Sequence, residues 1–177
     1  MKTLYLLRHA KSSWAAPDQP DHERPLNERG RKAATAMGRY LRSLPSHPTM
    51  VLASTARRVS ETLELLLLEM PEGITVIRDR NLYLAPAKRL LSRLHSTYEK
   101  SSTILIVGHN PGIHEFALQL SDELDDEAAP DALKRLKNSY PTAALTMIRF
   151  PDAKFWREVG YGQGRLVSFT RPRDLTG

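Results

Sequence analysis

The sequence predicts one α/β domain, spanning residues 1–177, built on a largely parallel sheet. Three observations carry that prediction. Short apolar runs alternate along the chain with stretches whose apolar residues recur at helical spacing. The run Thr103-Ile104-Leu105-Ile106-Val107 is apolar after its first residue and rich in β-branched residues, the pattern of a strand buried on both faces. The chain has 177 residues, 41% of them hydrophobic and 26% charged, which suits a single domain with a real core.

The elements follow in order. Residues 3–7 read as a short buried strand, stopped by polar residues. Residues 14–25 hold Pro17, Pro20 and Pro25 and form a loop. Asn27 caps a helix whose apolar stripe is Ala33, Ala34, Met37, Tyr40, Leu41 and Leu44, and Pro45 ends it. Residues 50–53 form the second strand. Ser54 is expected to cap the next helix, striped by Val59, Leu63, Leu66, Leu67 and Met70 and stopped at Pro71 and Gly73. Residues 75–77 make a third strand and 87–98 a helix carrying Leu90, Leu91 and Leu94. After the strand at 103–107, Asn110 is placed as an N-cap with Pro111 as the first helical residue. Residues 122–131 are acidic and read as an exposed loop. Strands are expected at 143–150 and 166–169.

Composition removes several classes of function. There is no cysteine, hence no disulfide, thiolate-bound zinc or cysteine nucleophile. No apolar run approaches the roughly 20 residues of a membrane span, and the N-terminus lacks a signal-peptide cleavage site, so the cytoplasm is the default location and no membrane partner is expected. A formal net charge of +6 favours an anionic partner. The basic residues are scattered and not interleaved with aromatics, which points away from nucleic acid.

Open parallel sheets bind ligands beyond the carboxyl ends of their strands. Arg8 and His9 lie just past the first strand, His109 just past the strand ending at Val107, and Arg58 near the start of the helix after the second strand. Taken singly, each has an ordinary structural reading; Arg57, for instance, can pair with Glu61 four residues on. Taken together, two histidines and two arginines would converge on one pocket suited to phosphoryl transfer. Guanidinium groups bind phosphate oxygens bidentately and stay charged. A neutral imidazole can attack phosphorus, and neighbouring arginines disfavour its protonation. His9 is therefore the expected nucleophile and His109 a donor to the transferring oxygens. Lys11, Ser12 and Asn110 are expected substrate contacts, with Arg173 a further possibility. A metal-dependent alternative would use His9, His22, His109 or His114, but no acidic cluster with ligand spacing accompanies them. Neither metal nor cofactor is expected.

Leu6-Leu7-Arg8-His9-Ala10 resembles the Arg-His-Gly signature of the histidine phosphatase (phosphoglycerate mutase-like) superfamily, with Ala10 in place of the usual glycine. Leu26-Asn27-Glu28-Arg29-Gly30 resembles its Leu-Thr-x-x-Gly helix start. Residues 54–62 match a Ser-x-x-x-Arg-x-x-x-Thr motif, which selects Arg58 over Arg57 as phosphate ligand. Gly108-His109-Asn110-Pro111-Gly112 resembles the second-histidine motif of the SixA-type branch, as do residues 8–14 and 172–175. The resemblance spans essentially the whole chain. It implies a three-layer α/β/α sandwich and a phosphohistidine intermediate on His9, with Arg8, Arg58 and His109 completing the phosphate pocket and no metal or cofactor.

Larger members of that superfamily place an acidic glutamate after the third strand, but residues 79–85 here contain none. The SixA-type branch shares the gap, and its founding activity is dephosphorylation of phosphohistidine on a signalling protein. An imidazole leaves readily once protonated, with a pKa near ~6.5, whereas an alkoxide needs a proton delivered as the bond breaks, help worth roughly a hundredfold or more. The expectation is a phosphohistidine phosphatase acting on a protein. A phosphatase of small phosphate esters and a non-catalytic phosphate-binding module are the alternatives. Asp18, Asp21 and Glu23 in the loop at 14–25 are the acids that could swing in. Residues 14–25 and 121–138 are expected to form the rims of an open mouth.

Overall fold

The structure, a computed structural model, describes residues 1–97, 100–122 and 130–175. The strands are β1 (Lys2–Arg8), β2 (Met50–Ser54), β3 (Thr75–Asp79), β4 (Thr103–Gly108), β5 (Leu145–Phe150) and β6 (Arg165–Thr170). The helices are α1 (Glu28–Ser43), α2 (Arg57–Leu67), α3 (Ala87–His95), α4 (Gly112–Leu120) and α5 (Pro130–Asn138). One six-stranded sheet runs in the order β3-β2-β4-β1-β5-β6. The four strands from β3 to β1 are parallel, while β5 and β6 run antiparallel at one edge. That antiparallel edge is the one feature the reading of a mostly parallel sheet did not specify.

Alternation along the strands explains the layers. Leu4, Leu6, Leu52, Ile104 and Ile106 face one side, where they pack with Leu90 and Leu94 of α3 and Phe116 and Leu120 of α4. Tyr5, Leu7, Val51, Leu105 and Val107 face the other, against Met37 and Leu41 of α1 and Val59, Leu63 and Leu66 of α2. β1 and β4 therefore have both faces covered and read as continuous apolar runs.

Several boundaries differ from expectation. α1 starts as read, with the Asn27 side chain accepting from the Gly30 N–H at 2.8 Å. Ser54 does not cap α2. Ala56 precedes the first turn, and the Ser54 hydroxyl faces His109 instead. Nor does Asn110 cap α4, because Pro111 holds that place and the Asn110 Nδ2 donates to the Tyr140 carbonyl at 3.0 Å. β5 begins at Leu145 rather than at 143. Ala143 takes φ +58° so that its N–H reaches the carbonyls of Arg8 and His9 at the end of β1. Tyr98, the expected end of α3, lies outside the described residues. So does most of the acidic stretch, 123–129.

Register sets up the site. Arg8 of β1 pairs with Gly108 of β4, so the next residues, His9 and His109, emerge side by side, and the His9 N–H donates to the Gly108 carbonyl at 3.0 Å. Close packing holds both turns. A Cβ on Gly30 would lie 2.1 Å from the Lys11 carbonyl oxygen, and one on Gly112 would lie 1.8 Å from that of Ala85. Neither approach leaves room for a side chain.

Candidate active site

At the carboxyl edge of the parallel strands, a cavity of about 220 Å³ is walled by Arg8, His9, Arg58 and His109. The imidazole centroids of His9 and His109 are 5.3 Å apart and tilted by 55°. His9 is nearly buried, and its Nδ1 lies 2.8 Å from the Ala10 carbonyl oxygen. A carbonyl accepts only, so the ring proton sits on Nδ1 and the lone pair is on Nε2, where it accepts from the Arg58 Nε–H. Arg58 Nε lies 3.4 Å from that Nε2. Burial lowers the His9 pKa to about 4, with Arg58, Arg8 and Arg24 adding to the effect against the opposing bond to Ala10. Burial, then the charges of His9 and Arg58, lowers His109 to about 3. Both imidazoles are thus neutral at pH 7.

Arg58 is 3% exposed, whereas Arg57 points outward and pairs with Glu61 at 2.8 Å. Thr62, one turn further along α2, ties the two halves of the site together. Its hydroxyl donates to the Arg58 carbonyl at 2.6 Å and accepts from the Ala10 N–H at 3.0 Å. His109 Nε2 lies 2.8 Å from the Ser54 hydroxyl, and its Nδ1 lies 3.3 Å from Arg58 Nη2. A guanidinium only donates, so Nδ1 accepts from Arg58 and the ring proton, on Nε2, goes to the Ser54 hydroxyl. Arg8 Nη1 donates to the Tyr140 carbonyl at 2.8 Å, and its buried Nε–H has no hydrogen-bond partner among the described residues. The Tyr140 hydroxyl, buried under the sheet edge, donates to the Leu6 carbonyl.

The loop at 14–25 folds over this edge and brings Arg24, which the sequence did not single out, and Asp21, one of its three candidate acids. Arg24 is 7% exposed and lines the cavity as a third guanidinium, donating to the Ser12 hydroxyl at 2.6 Å and stacking under Trp14 at 3.2 Å from its ring centroid. Asp21 is the loop acid that arrives. Its Oδ2 accepts from Arg58 at 3.0 Å and from the Tyr83 hydroxyl, its Oδ1 accepts from Arg24 at 2.9 Å, and its carbonyl accepts from Arg58 Nη1 at 2.6 Å. The Tyr83 bond, with Arg24 and Arg58, holds the Asp21 carboxyl well below the usual carboxylate range. It is an ionised clamp on Arg58 rather than a proton donor. Glu23 pairs with His22, which in turn reaches the Thr55 hydroxyl at 2.9 Å. Asp18 is exposed and does not line the cavity.

Lys11, Ser12 and Asn110 all line the cavity. Lys11 is exposed, Ser12 is occupied by Arg24, and Asn110 is engaged by Tyr140. Among the described residues, no carboxylate lines the cavity. Asp79, in the stretch searched for an acid, accepts from Arg93 at 2.9 Å and from the Asn81 N–H at 2.9 Å. Of the two expected rims, the loop at 14–25 reaches the cavity; residues 121–122 and 130–138 do not line it, and 123–129 lie outside the described residues. Leu84 closes the far side instead. Among the described residues, no group of three or more His, Asp or Glu side chains is placed to hold a metal ion, and no helix is long and apolar enough to cross a membrane.

Comparison with known proteins agrees with this architecture. Residues 4–83 match the model of the histidine phosphatase superfamily, branch 1. An uncharacterized protein of Mycobacterium tuberculosis is 32% identical over 168 residues, covering 94% of this chain and all of the relative. A candidate phosphohistidine phosphatase SixA from Nakamurella multipartitia superposes with a TM-score of 0.80 at 27% identity, over 97% of this chain and 96% of that one. One from Agrobacterium tumefaciens gives 0.76 at 27% identity, over 97% and 98%. The cavity at the meeting of β1 and β4, the motifs around it and these matches lead to one assignment: the chain belongs to the histidine phosphatase superfamily and has the fold of its SixA-type members.

Proposed function

We propose that this protein is a metal-independent phosphatase that removes the phosphoryl group from phosphohistidine on a protein, through a phosphoenzyme on His9. The observation that carries the reading is the setting of His9, whose proton is committed to the Ala10 carbonyl, whose Nε2 accepts only a long contact from Arg58 at 3.4 Å, and which lines a cavity with three guanidinium groups. Nε2 attacks phosphorus, and the substrate P–N bond breaks. The departing imidazole nitrogen takes the electron pair and a proton from solvent. The His9 ring gains positive charge as its P–N bond forms, which strengthens the Nδ1–H bond to Ala10. Water then attacks phosphorus, releases inorganic phosphate and returns His9 to its neutral form.

Arg8 and Arg58 neutralise charge on the equatorial oxygens, and the buried Arg8 Nε–H is a donor that an anion would satisfy. An anion that draws Arg58 away from His109 Nδ1 frees that nitrogen, and a proton shift to Nδ1, with the Ser54 hydroxyl then donating to Nε2, turns His109 into a donor to the oxygens. Two features favour a ring-bearing leaving group. Among the described residues no carboxylic acid lines the cavity to protonate an alkoxide. The mouth is flanked by Trp14 and Leu84, which are 72% and 53% exposed, an apolar rim for an imidazole to rest against.

The test is to incubate the purified protein with phosphohistidine, phosphoserine and a sugar phosphate, and to trap the acid-labile phosphoenzyme. Turnover of phosphohistidine with label on His9, lost in His9→Ala, is expected. Preference for the alkyl esters, or steady turnover with no label on His9, would overturn the reading.

A further inference from the structure

A second cavity, of about 230 Å³, opens beside the first. Lys11, Arg29, Arg171 and Arg173 line it together with Ser139 and Thr142, and among the described residues no carboxylate lines it. The four cations come from three separate parts of the chain: the turn after β1, the first turn of α1, and the segment after β6. Local sequence does not explain that convergence. Asp174 holds Arg171 by a two-point contact, at 2.7 Å and 3.0 Å, which fixes one wall. Lys11 and Thr142 belong to the walls of both cavities, so the two are separated by little more than these side chains.

We infer that this cavity is a subsite for a second anionic group, a phosphoryl or carboxylate, carried by the same substrate that presents its phosphoryl group to His9. The inference rests on reading the first cavity as the phosphoryl-transfer site. Three points support it. A concave cluster of guanidinium and ammonium groups favours a compact anion, and guanidinium binds phosphoryl and carboxylate oxygens alike. The volume holds one such group rather than a length of polymer. The shared Lys11–Thr142 wall places the second group within reach of a substrate already anchored at the first, so its binding is intramolecular and adds to affinity. A substrate with a single anionic group would leave the cavity unused.

Calorimetric binding of unreactive phosphonates tests this. Methylphosphonate serves as the single-anion probe. It is compared with alkane bisphosphonates of increasing chain length and with phosphonocarboxylates of matching length. One spacer length should bind about tenfold or more tighter than methylphosphonate. Whether the bisphosphonate or the phosphonocarboxylate gains more identifies the second group. Arg29→Glu should abolish the gain and Arg29→Ala reduce it. Arg31→Glu, the same charge reversal on α1 but lining a different depression, should leave it in place. The inference is overturned if no spacer gains over methylphosphonate, if the gain survives Arg29→Glu, or if Arg31→Glu removes it equally. Turnover measured in parallel separates the two readings. Turnover without a spacer-dependent gain defeats the subsite alone. A gain without turnover of any phosphoramidate or ester defeats the phosphatase and leaves the subsite standing.

Discussion

Replacing Arg58 with alanine should cut kcat/KM for phosphohistidine by a factor of about 10² to 10³ while leaving a folded protein. The guanidinium is 3% exposed and its Nε lies 3.4 Å from the attacking nitrogen of His9, so it borders the phosphoryl group throughout the reaction. At an effective dielectric of about 20, two unit charges some 4 Å apart interact by roughly 4 kcal/mol. Part of that is already satisfied in the free protein by Asp21 at 3.0 Å. The net loss should therefore approach the roughly 3–4 kcal/mol seen on removing a preorganised donor, at about 1.4 kcal/mol for each tenfold. Arg57→Ala is the matched control. Arg57 is exposed and its pair with Glu61 is an i,i+4 contact worth about 0.3–0.5 kcal/mol, so kcat/KM should change less than about threefold. Steady-state kinetics on both variants, with circular dichroism to verify folding, decides the matter. If Arg57→Ala is the more damaging, the placement of Arg58 at the phosphate is wrong and the register of the motif in residues 54–62 fails with it.

Burial and the arginines hold His9 near pH 4, so the enzyme-side limb of kcat/KM should fall near pH 4 and not near 6.5, as protonation removes the Nε2 lone pair. Because the unfolded chain binds that proton at about 6.5, stability is complete above 6.5 and lost as pH falls toward 4; a urea midpoint unchanged between pH 7 and pH 5 would contradict this. Ser54→Ala removes the hydroxyl 2.8 Å from His109 Nε2 and should lower kcat by about tenfold, with the melting temperature the check that folding survives. Gly112→Ala forces a Cβ to within 1.8 Å of the Ala85 carbonyl oxygen and should destabilise the fold by at least about 1–3 kcal/mol, read as a drop in melting temperature. Full activity is expected after exhaustive chelation, and loss restored by added metal would count against a histidine nucleophile acting alone.

What was legible in the sequence is what local chemistry specifies. β1 and β4 announce themselves because both faces are buried, so their apolar runs are unbroken. α1 announces itself through Asn27 and its stripe. Once the strands are parallel, side chains just past their ends share one edge, which groups residues 8, 9 and 109 with the start of the helix after the second strand; the resemblance in residues 54–62 selects Arg58 there over Arg57, and the structure gathers all four round one cavity. Ser54 and Asn110 illustrate the limit. Both have good capping chemistry, yet tertiary partners won over local ones: Ser54 turns to His109, and Asn110 to the Tyr140 carbonyl.

The remainder was decided only by folding. Arg24, Asp21 and Tyr83 lie in or beside irregular segments with no periodicity to read, and they meet Arg58 because the loop at 14–25 closes over the sheet edge. The second cavity draws cations from positions 11, 29, 171 and 173; Arg29 and Arg171 look like ordinary surface in sequence, and nothing local joins them to Lys11 and Arg173. Periodicity and capping act over a few residues, so the chain discloses its strands, its helix starts and the polar residues at their ends. Contacts between loops far apart in sequence depend on how whole layers pack, and no local signal encodes them.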